Sequence, residues 1–302
     1  MNNYYYPKRI LSLTDQLQTY KDAGMVIPSD ETVLNALSSI GFYRLRGYCY
    51  NLYDNHTKQF IPGTSFDHIL KLYEFDTKLS ELLFTFLSKI EIALRVRLTE
   101  SLLIYKDALI LGSPIPFQNK KVYWKNYSTI CSEIARSHDV FIRHNFHMHN
   151  GQVPLWAAVE VLSFGTLSRI IKNLKNGNGS AFARLSEFYK YRTLKGNLAK
   201  PSHKTLSSWI QALVVLRNTC AHNARIYNRS YKIPPEILQI DKVIPQPPHS
   251  GLYELLLAMK YLRPSDTDWK DFSMSLQKLI QDYHSYISLS AMNFPNDWKS
   301  HL

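Results

Sequence analysis

From Phe66 to Leu94 the sequence keeps one rhythm with hardly a slip: Phe66, Ile69, Leu70, Tyr73, Leu79, Leu82, Leu83, Phe86, Leu87, Ile90, Ala93 and Leu94 stand at helical spacing, with no Gly or Pro among them. A helix brings such residues to one side; a strand does not. One neighbour cannot bury a stripe of that length, so much of the remaining chain has to pack along it. Just before it, Pro62-Gly63 breaks the chain and Thr64 or Ser65 is placed to cap.

The flanking chain repeats these signals at shorter length. A helix is predicted over Leu13–Tyr20, with Thr14 as N-cap and Gly24 closing the turn after it. Another starts at Ser29, with Asp30 and Glu31 at the positive end of its dipole, and stops at Gly41. Pro154 suits the first turn of a helix whose buried face is Leu155, Trp156, Val159 and Leu162; Gly165 interrupts it, and Leu167, Ile170, Ile171 and Leu174 carry on. Further helices are expected over Phe182–Arg192, Leu252–Leu262 and about Asp268 to Leu289. Between Gly112 and Gly151 clean periodicity is lost, and the segment reads as a solvated basic loop. It gathers His138, His144, His147 and His149 with Asp139 as the only acid near them, a poor match to zinc-ligand spacing, so no metal is expected. Ile233 to Gly251 holds five prolines and is expected as a surface loop or arm. With no strand-rich region and no internal repeat, the fold class is all-α. Residues 1–61 read as an N-terminal helical extension and residues 62–302 as the main domain, one compact unit.

The charge balance narrows the partners. Thirty-six Lys and Arg against 24 Asp and Glu give a net charge of +12, an attractive potential for polyanions, with nucleic acid first among them. Twenty tyrosines interleave with the basic residues, and aromatic faces beside cations suit single-stranded RNA. The densest case is Phe42-Tyr43-Arg44-Leu45-Arg46-Gly47-Tyr48-Cys49-Tyr50, where a strand-like or a tight helical path would set Arg44 and Arg46 beside rings. No apolar run is long enough to span a bilayer, and MNNYYYPKRI lacks the apolar centre of a signal peptide. Three scattered cysteines suit a reducing compartment. The expected location is the cytoplasm, with no membrane partner.

The stretch Leu206–Arg229 carries the most pointed chemistry. Leu206, Trp209, Ile210, Leu213, Val214 and Leu216 give a helix one buried face, and that stripe runs directly into Arg217. A guanidinium placed there calls for an anion. Five residues on, His222 stands roughly 140° away around a straight helix, whereas Asn218 and His222, at i and i+4, share a face. One helix does not aim Arg217 and His222 at one spot, which points to a bend or to a homodimer through this helix. Lys204 before the motif, and Arg225 and Arg229 after it, surround it with positive charge and are candidate RNA contacts.

The segment RNTCAHNARIYNR resembles the hallmark of the Abi-like abortive-infection family of AbiD/AbiF type, whose Arg-x4-His motif places it in the HEPN superfamily of ribonucleases. Four other stretches agree with the resemblance: Ile40 onward (IGFYRLRGYCY), FDTKLSELLFTFLSKIEIALRVRL from Phe75, PLWAAVEVLSFGTLS from Pro154, and NFPNDW near the C-terminus. Family members often have a second histidine directly after the first; here that position is Asn223. The resemblance implies a HEPN-like helical bundle, phage defence by growth arrest, and a structured noncoding RNA partner. It also implies that a polar residue of an earlier helix supports the motif from behind, for which Glu91 and Arg95 are the candidates; by spacing alone they are an ordinary i,i+4 pair. Metal-independent RNA cleavage needs a base for the ribose 2′-hydroxyl and a cation for the phosphorane, with no cofactor. His222 and Arg217 supply those parts, with Asn218 to orient or bind, and the products are a 2′,3′-cyclic phosphate and a 5′-hydroxyl. Two further readings stay open: a helix end where Arg217 pairs with a carboxylate and His222 caps carbonyls, and a noncatalytic RNA-binding module.

Overall fold

The computed structural model of the chain describes residues 10–242 and 249–302. In chain order come helices α1 (Leu13–Asp22), α2 (Asp30–Ser39) and α3 (Phe42–Arg46), strands β1 (Tyr53–Asp54) and β2 (Gln59–Phe60), and the long helix α4 (Phe66–Leu102). Next are α5 (Lys120–Ala135), α6 (Val140–Met148), α7 (Leu155–Val161), α8 (Phe164–Lys172), α9 (Ala181–Glu187), and strands β3 (Tyr191–Arg192) and β4 (Leu198–Ala199). Helices α10 (His203–Ala221), α11 (Leu252–Leu262), α12 (Asp266–Asp282) and α13 (Trp298–His301) complete the order. The fold is all-α, its strands among the described residues confined to two small antiparallel hairpins. Two compact units form: one runs up to Ser80 and takes in Lys278–Ser288, the other comprises Glu81–Gln277 and Leu289–Leu302. Helix α4, 37 residues and so about 55 Å long, contributes to both, as does α12.

In the first unit the core gathers around Tyr20, whose ring centroid lies 5.1 Å from Phe42 and 5.6 Å from Phe66. Leu45, Phe66, Ile69 and Phe75 are fully buried beside it. Asp76, a buried carboxylate of this core, accepts the Tyr48 hydroxyl at 2.7 Å, so its charge is not left unanswered. Pairing of Tyr53 with Phe60 and of Asp54 with Gln59 sets the register of the hairpin that follows α3.

In the second unit α10 packs against α8 on one side and α11 on another. Its N-terminus is fixed by Ser202, whose hydroxyl accepts the Thr205 N–H at 3.0 Å, a cap worth about 1 kcal/mol. Leu206, Trp209, Ile210, Leu213 and Leu216 are buried, each contributing about 1.5–3 kcal/mol relative to exposure. Trp209 stacks on Tyr261 of α11 at 5.0 Å, and its indole N–H donates to the Glu236 carbonyl at 2.7 Å. Every residue from Leu252 to Met259 is buried, which is why α11 reads as apolar all round.

Several elements differ from what their residues alone suggest. The segment between Gly112 and Gly151 contains α5 and α6 instead of a loop; the buried apolar positions of these helices, Tyr123, Ile130 and Ile142, are few and flanked by exposed apolar residues, which hides the period. His138, His144, His147 and His149 are exposed, and among the described residues no cluster of three His, Cys, Asp or Glu forms. Ser12, not Thr14, caps α1, in a reciprocal pair with Asp15. Trp156 faces solvent at 55 % exposure instead of joining the core. The helix expected to reach Arg192 stops at Glu187, and the chain reverses at Gly196, whose φ of +77° suits the turn between β3 and β4. The last long helix ends at Asp282, short of Leu289. Of the proline-rich stretch, 233–242 and 249–251 are free of α-helix, while 243–248 lie outside the described residues.

Candidate functional site

Helix α10 delivers Arg217 to the face of α4. The Arg217 guanidinium donates from Nε to Glu91 Oε2 at 3.2 Å and from Nη2 to Glu91 Oε1 at 3.4 Å, and from Nη1 to Asn218 Oδ1 at 3.2 Å. Glu91 in turn accepts Arg95 Nη2 at 2.7 Å, one helical turn along α4. Arg95 also donates to the Val159 carbonyl at 3.1 Å and the Leu162 carbonyl at 2.9 Å, groups that the end of α7 leaves without helical partners. The anion that the apolar stripe before Arg217 calls for is therefore a protein carboxylate, shared between two arginines. Burial grades the three: the side chains of Glu91, Arg95 and Arg217 are 7 %, 13 % and 29 % exposed. The i,i+4 pair of α4 is an interior pair, unlike the solvated pairs that such spacing usually makes.

A guanidinium carries five N–H donors; three of Arg217's are engaged, leaving two for a further acceptor. Asn218 and His222 are exposed on the neighbouring face. His222 is the C-cap of α10, its backbone N–H donating to the Asn218 carbonyl at 3.0 Å, while its imidazole makes no hydrogen bond among the described residues. The helix stops there for a defined reason. Asn223 adopts φ +50°, its N–H bonds to the Cys220 carbonyl at 2.9 Å, and the Ala224 N–H reaches back to Thr219 at 2.9 Å, a Schellman ending with Asn in the left-handed position. Asn223 thus shapes the turn.

The remaining predicted residues are dispersed. Lys204 sits thirteen residues before Arg217 on α10, roughly 20 Å along the axis, and is paired with Glu236 at 2.5 Å. Arg225 is half-buried, and its carbonyl accepts Arg229 Nη1 at 3.2 Å; the Arg229 guanidinium also lies over Tyr231. Arg44 and Arg46 belong to the first unit, where Arg44 is exposed and Arg46 is stacked on rings.

One part of the setting escaped the sequence reading. Glu133 of α5, buried, accepts the Ser163 N–H at 3.0 Å, the Ser163 hydroxyl at 2.8 Å and the Thr166 hydroxyl at 3.1 Å at the start of α8. It thereby clamps the α7–α8 junction whose Val159 and Leu162 carbonyls hold Arg95. Tyr123 and Ile130, seven apart in the segment read as a loop, are the signal that could have placed Glu133 on a helix.

The family model for Abi-like proteins matches residues 35–228. The chain belongs to the Abi-like protein family. Membership connects it with abortive infection, a form of phage defence. The matched stretch of this Abi-like chain holds Glu91, Arg95, the α7–α8 junction and the end of α10, and closes at Asn228, four residues beyond the Schellman turn. No curated protein and no solved structure matches the sequence. No helix among the described residues is long and apolar enough to cross a membrane.

Proposed function

We propose that this Abi-like chain is a HEPN endoribonuclease of AbiD/AbiF type, a toxin that cuts RNA without a metal at the end of α10. The observation that carries the reading is the pairing of a guanidinium held by Glu91, with two donors unused, and an exposed imidazole at the cap of the same helix. His222 takes the 2′-hydroxyl proton, Arg217 holds the phosphorane oxygens, and Asn218 steadies Arg217 through its Oδ1. Because helical spacing sets Arg217 and His222 roughly 140° apart, the working form is a homodimer in which two copies of α10 face one phosphate. Exposed Ile92 and Val96, each next in sequence to Glu91 and Arg95, offer apolar area for that pairing.

The test is RNA cleavage by the purified full chain in EDTA, with and without stripping of co-purified RNA. His222→Ala should lower the rate about 10²–10⁴-fold, with a 2′,3′-cyclic phosphate as the parent's product. His222 is the cleaner variant, since Arg217→Ala also disturbs the Glu91 pair. The second reading, a noncatalytic module on a structured noncoding RNA, is favoured by the fact that Arg217 already has a carboxylate partner. A parent that retains RNA yet cuts none, even after stripping, would establish that reading instead.

A further inference from the structure

The first unit carries an aromatic and basic pocket of its own. Tyr43 and Tyr50 are 81 % and 70 % exposed, unusual for rings in a core-forming segment. Between them in sequence, Arg46 lays its guanidinium 4.8 Å from the Tyr53 ring centroid and 5.8 Å from Phe42, so a flat cation is held against rings. An open cavity of about 110 Å³ is lined by Arg46, Cys49, Tyr50, Tyr53 and Asn55. That is comparable with the roughly 150 Å³ cavity that takes up benzene, enough for one flat ring entering edge first. The Asn55 side chain is exposed and makes no hydrogen bond among the described residues, so it presents a donor and an acceptor together. Exposed Arg44 and Lys58 add positive charge to this segment, and the Asp54 carboxylate, which accepts the His56 N–H and the Thr57 hydroxyl of the hairpin turn and attracts Lys58, offsets only part of it.

We infer that this pocket takes one unpaired base of a single-stranded RNA, stacked on Tyr50, with Asn55 meeting the base edge and Arg44 and Lys58 the phosphates. The inference takes its ligand class from the RNA reading above but uses no residue of the Arg217 and His222 site. A duplex does not fit, because its bases are already stacked; a neutral or basic peptide lacks the negative charge that the rim selects, and an acidic peptide without aromatic residues offers no flat ring to stack.

The experiment measures fluorescence anisotropy of a labelled, short, single-stranded oligouridylate, 2′-O-methylated so that it cannot be cut, against the full-length chain. Tyr50→Ala should weaken binding about five- to hundredfold without changing the salt slope, because a stacked base releases no counterions. Tyr50→Phe should restore it, and Arg44→Gln should lower the slope by about one. A duplex of the same length should bind the parent and Tyr50→Ala alike. Tyr50 is exposed, so an unchanged melting temperature verifies the fold. If Tyr50→Ala binds like the parent while RNA is still cut, the pocket is refuted and the nuclease reading stands. If binding depends on Tyr50 but no RNA is cut, the reverse holds. A parent that captures no single-stranded RNA overturns the pocket outright.

Discussion

Removing the Glu91 carboxylate probes the site through its stability. Glu91 is 7 % exposed and receives Arg95 Nη2 at 2.7 Å; the other Arg95 bonds go to the neutral carbonyls of Val159 and Leu162, which do not cancel its charge. Glu91→Ala therefore strands a guanidinium that is only 13 % exposed, a loss of about 3–5 kcal/mol for a broken buried pair. Arg217, at 29 %, can turn toward water and adds only about 0.2–1 kcal/mol, as an exposed pair does. Glu91→Gln keeps an acceptor for Arg95 and should lose about half as much. Urea unfolding of the full chain gives the stabilities, and double-mutant cycles apportion them. Coupling of Glu91 with Arg95 should exceed about 1.5 kcal/mol and coupling with Arg217 should fall below about 1. A Glu91→Ala loss under about 1 kcal/mol, or the opposite order of couplings, would refute the grading by burial.

Three further outcomes are expected. Burial raises the Asp241 carboxyl above the ordinary aspartate range, even though it accepts the Tyr261 hydroxyl at 2.6 Å; the folded state thus holds that proton more tightly, and stability falls as pH rises through the folded value. Asp241→Asn should melt above the parent at pH 7 and lose that advantage as pH is lowered toward about 4, as thermal scans at the two pH values will show. Asn223→Ala should lower stability by about 1 kcal/mol in chemical denaturation, because an L side chain resists the left-handed turn that Asn tolerates. A Cβ on Gly251 would stand 2.8 Å from the Met292 carbonyl oxygen and 2.8 Å from Asn293 Cγ, so Gly251→Ala should cost about 1–3 kcal/mol, and an unchanged melting temperature would contradict that clash.

Where the apolar period was clean, the sequence told the fold. Leu252–Leu262 coincides with α11, and the stripe from Phe66 starts α4 at the right residue; its continuation through Leu98 and Leu102 was obscured by Arg95, Arg97, Thr99 and Glu100. α5 and α6 were lost because exposed Val122, Trp124, Val140 and Phe146 blur the contrast between their faces. At the site, the demand for an anion at Arg217 was legible from one helix alone. Which anion was not, since Glu91 lies 126 residues away and only the tertiary approach of Arg217 to α4 selects it from the other acids. The carbonyls of Val159 and Leu162 carry no side-chain signature, so nothing in the residue types announces them.

One carboxylate shared by two arginines has a consequence for exchange. On the proposed RNA reading, a phosphate that drew Arg217 away from the carboxylate would leave Glu91 still paired with Arg95 at 2.7 Å. The swap therefore leaves no lone charge in the interior, as it would if Arg217 were the carboxylate's sole partner. Under that reading Arg95 is a standing reserve and Arg217 the member on loan, free to change anions while the interior stays neutralised.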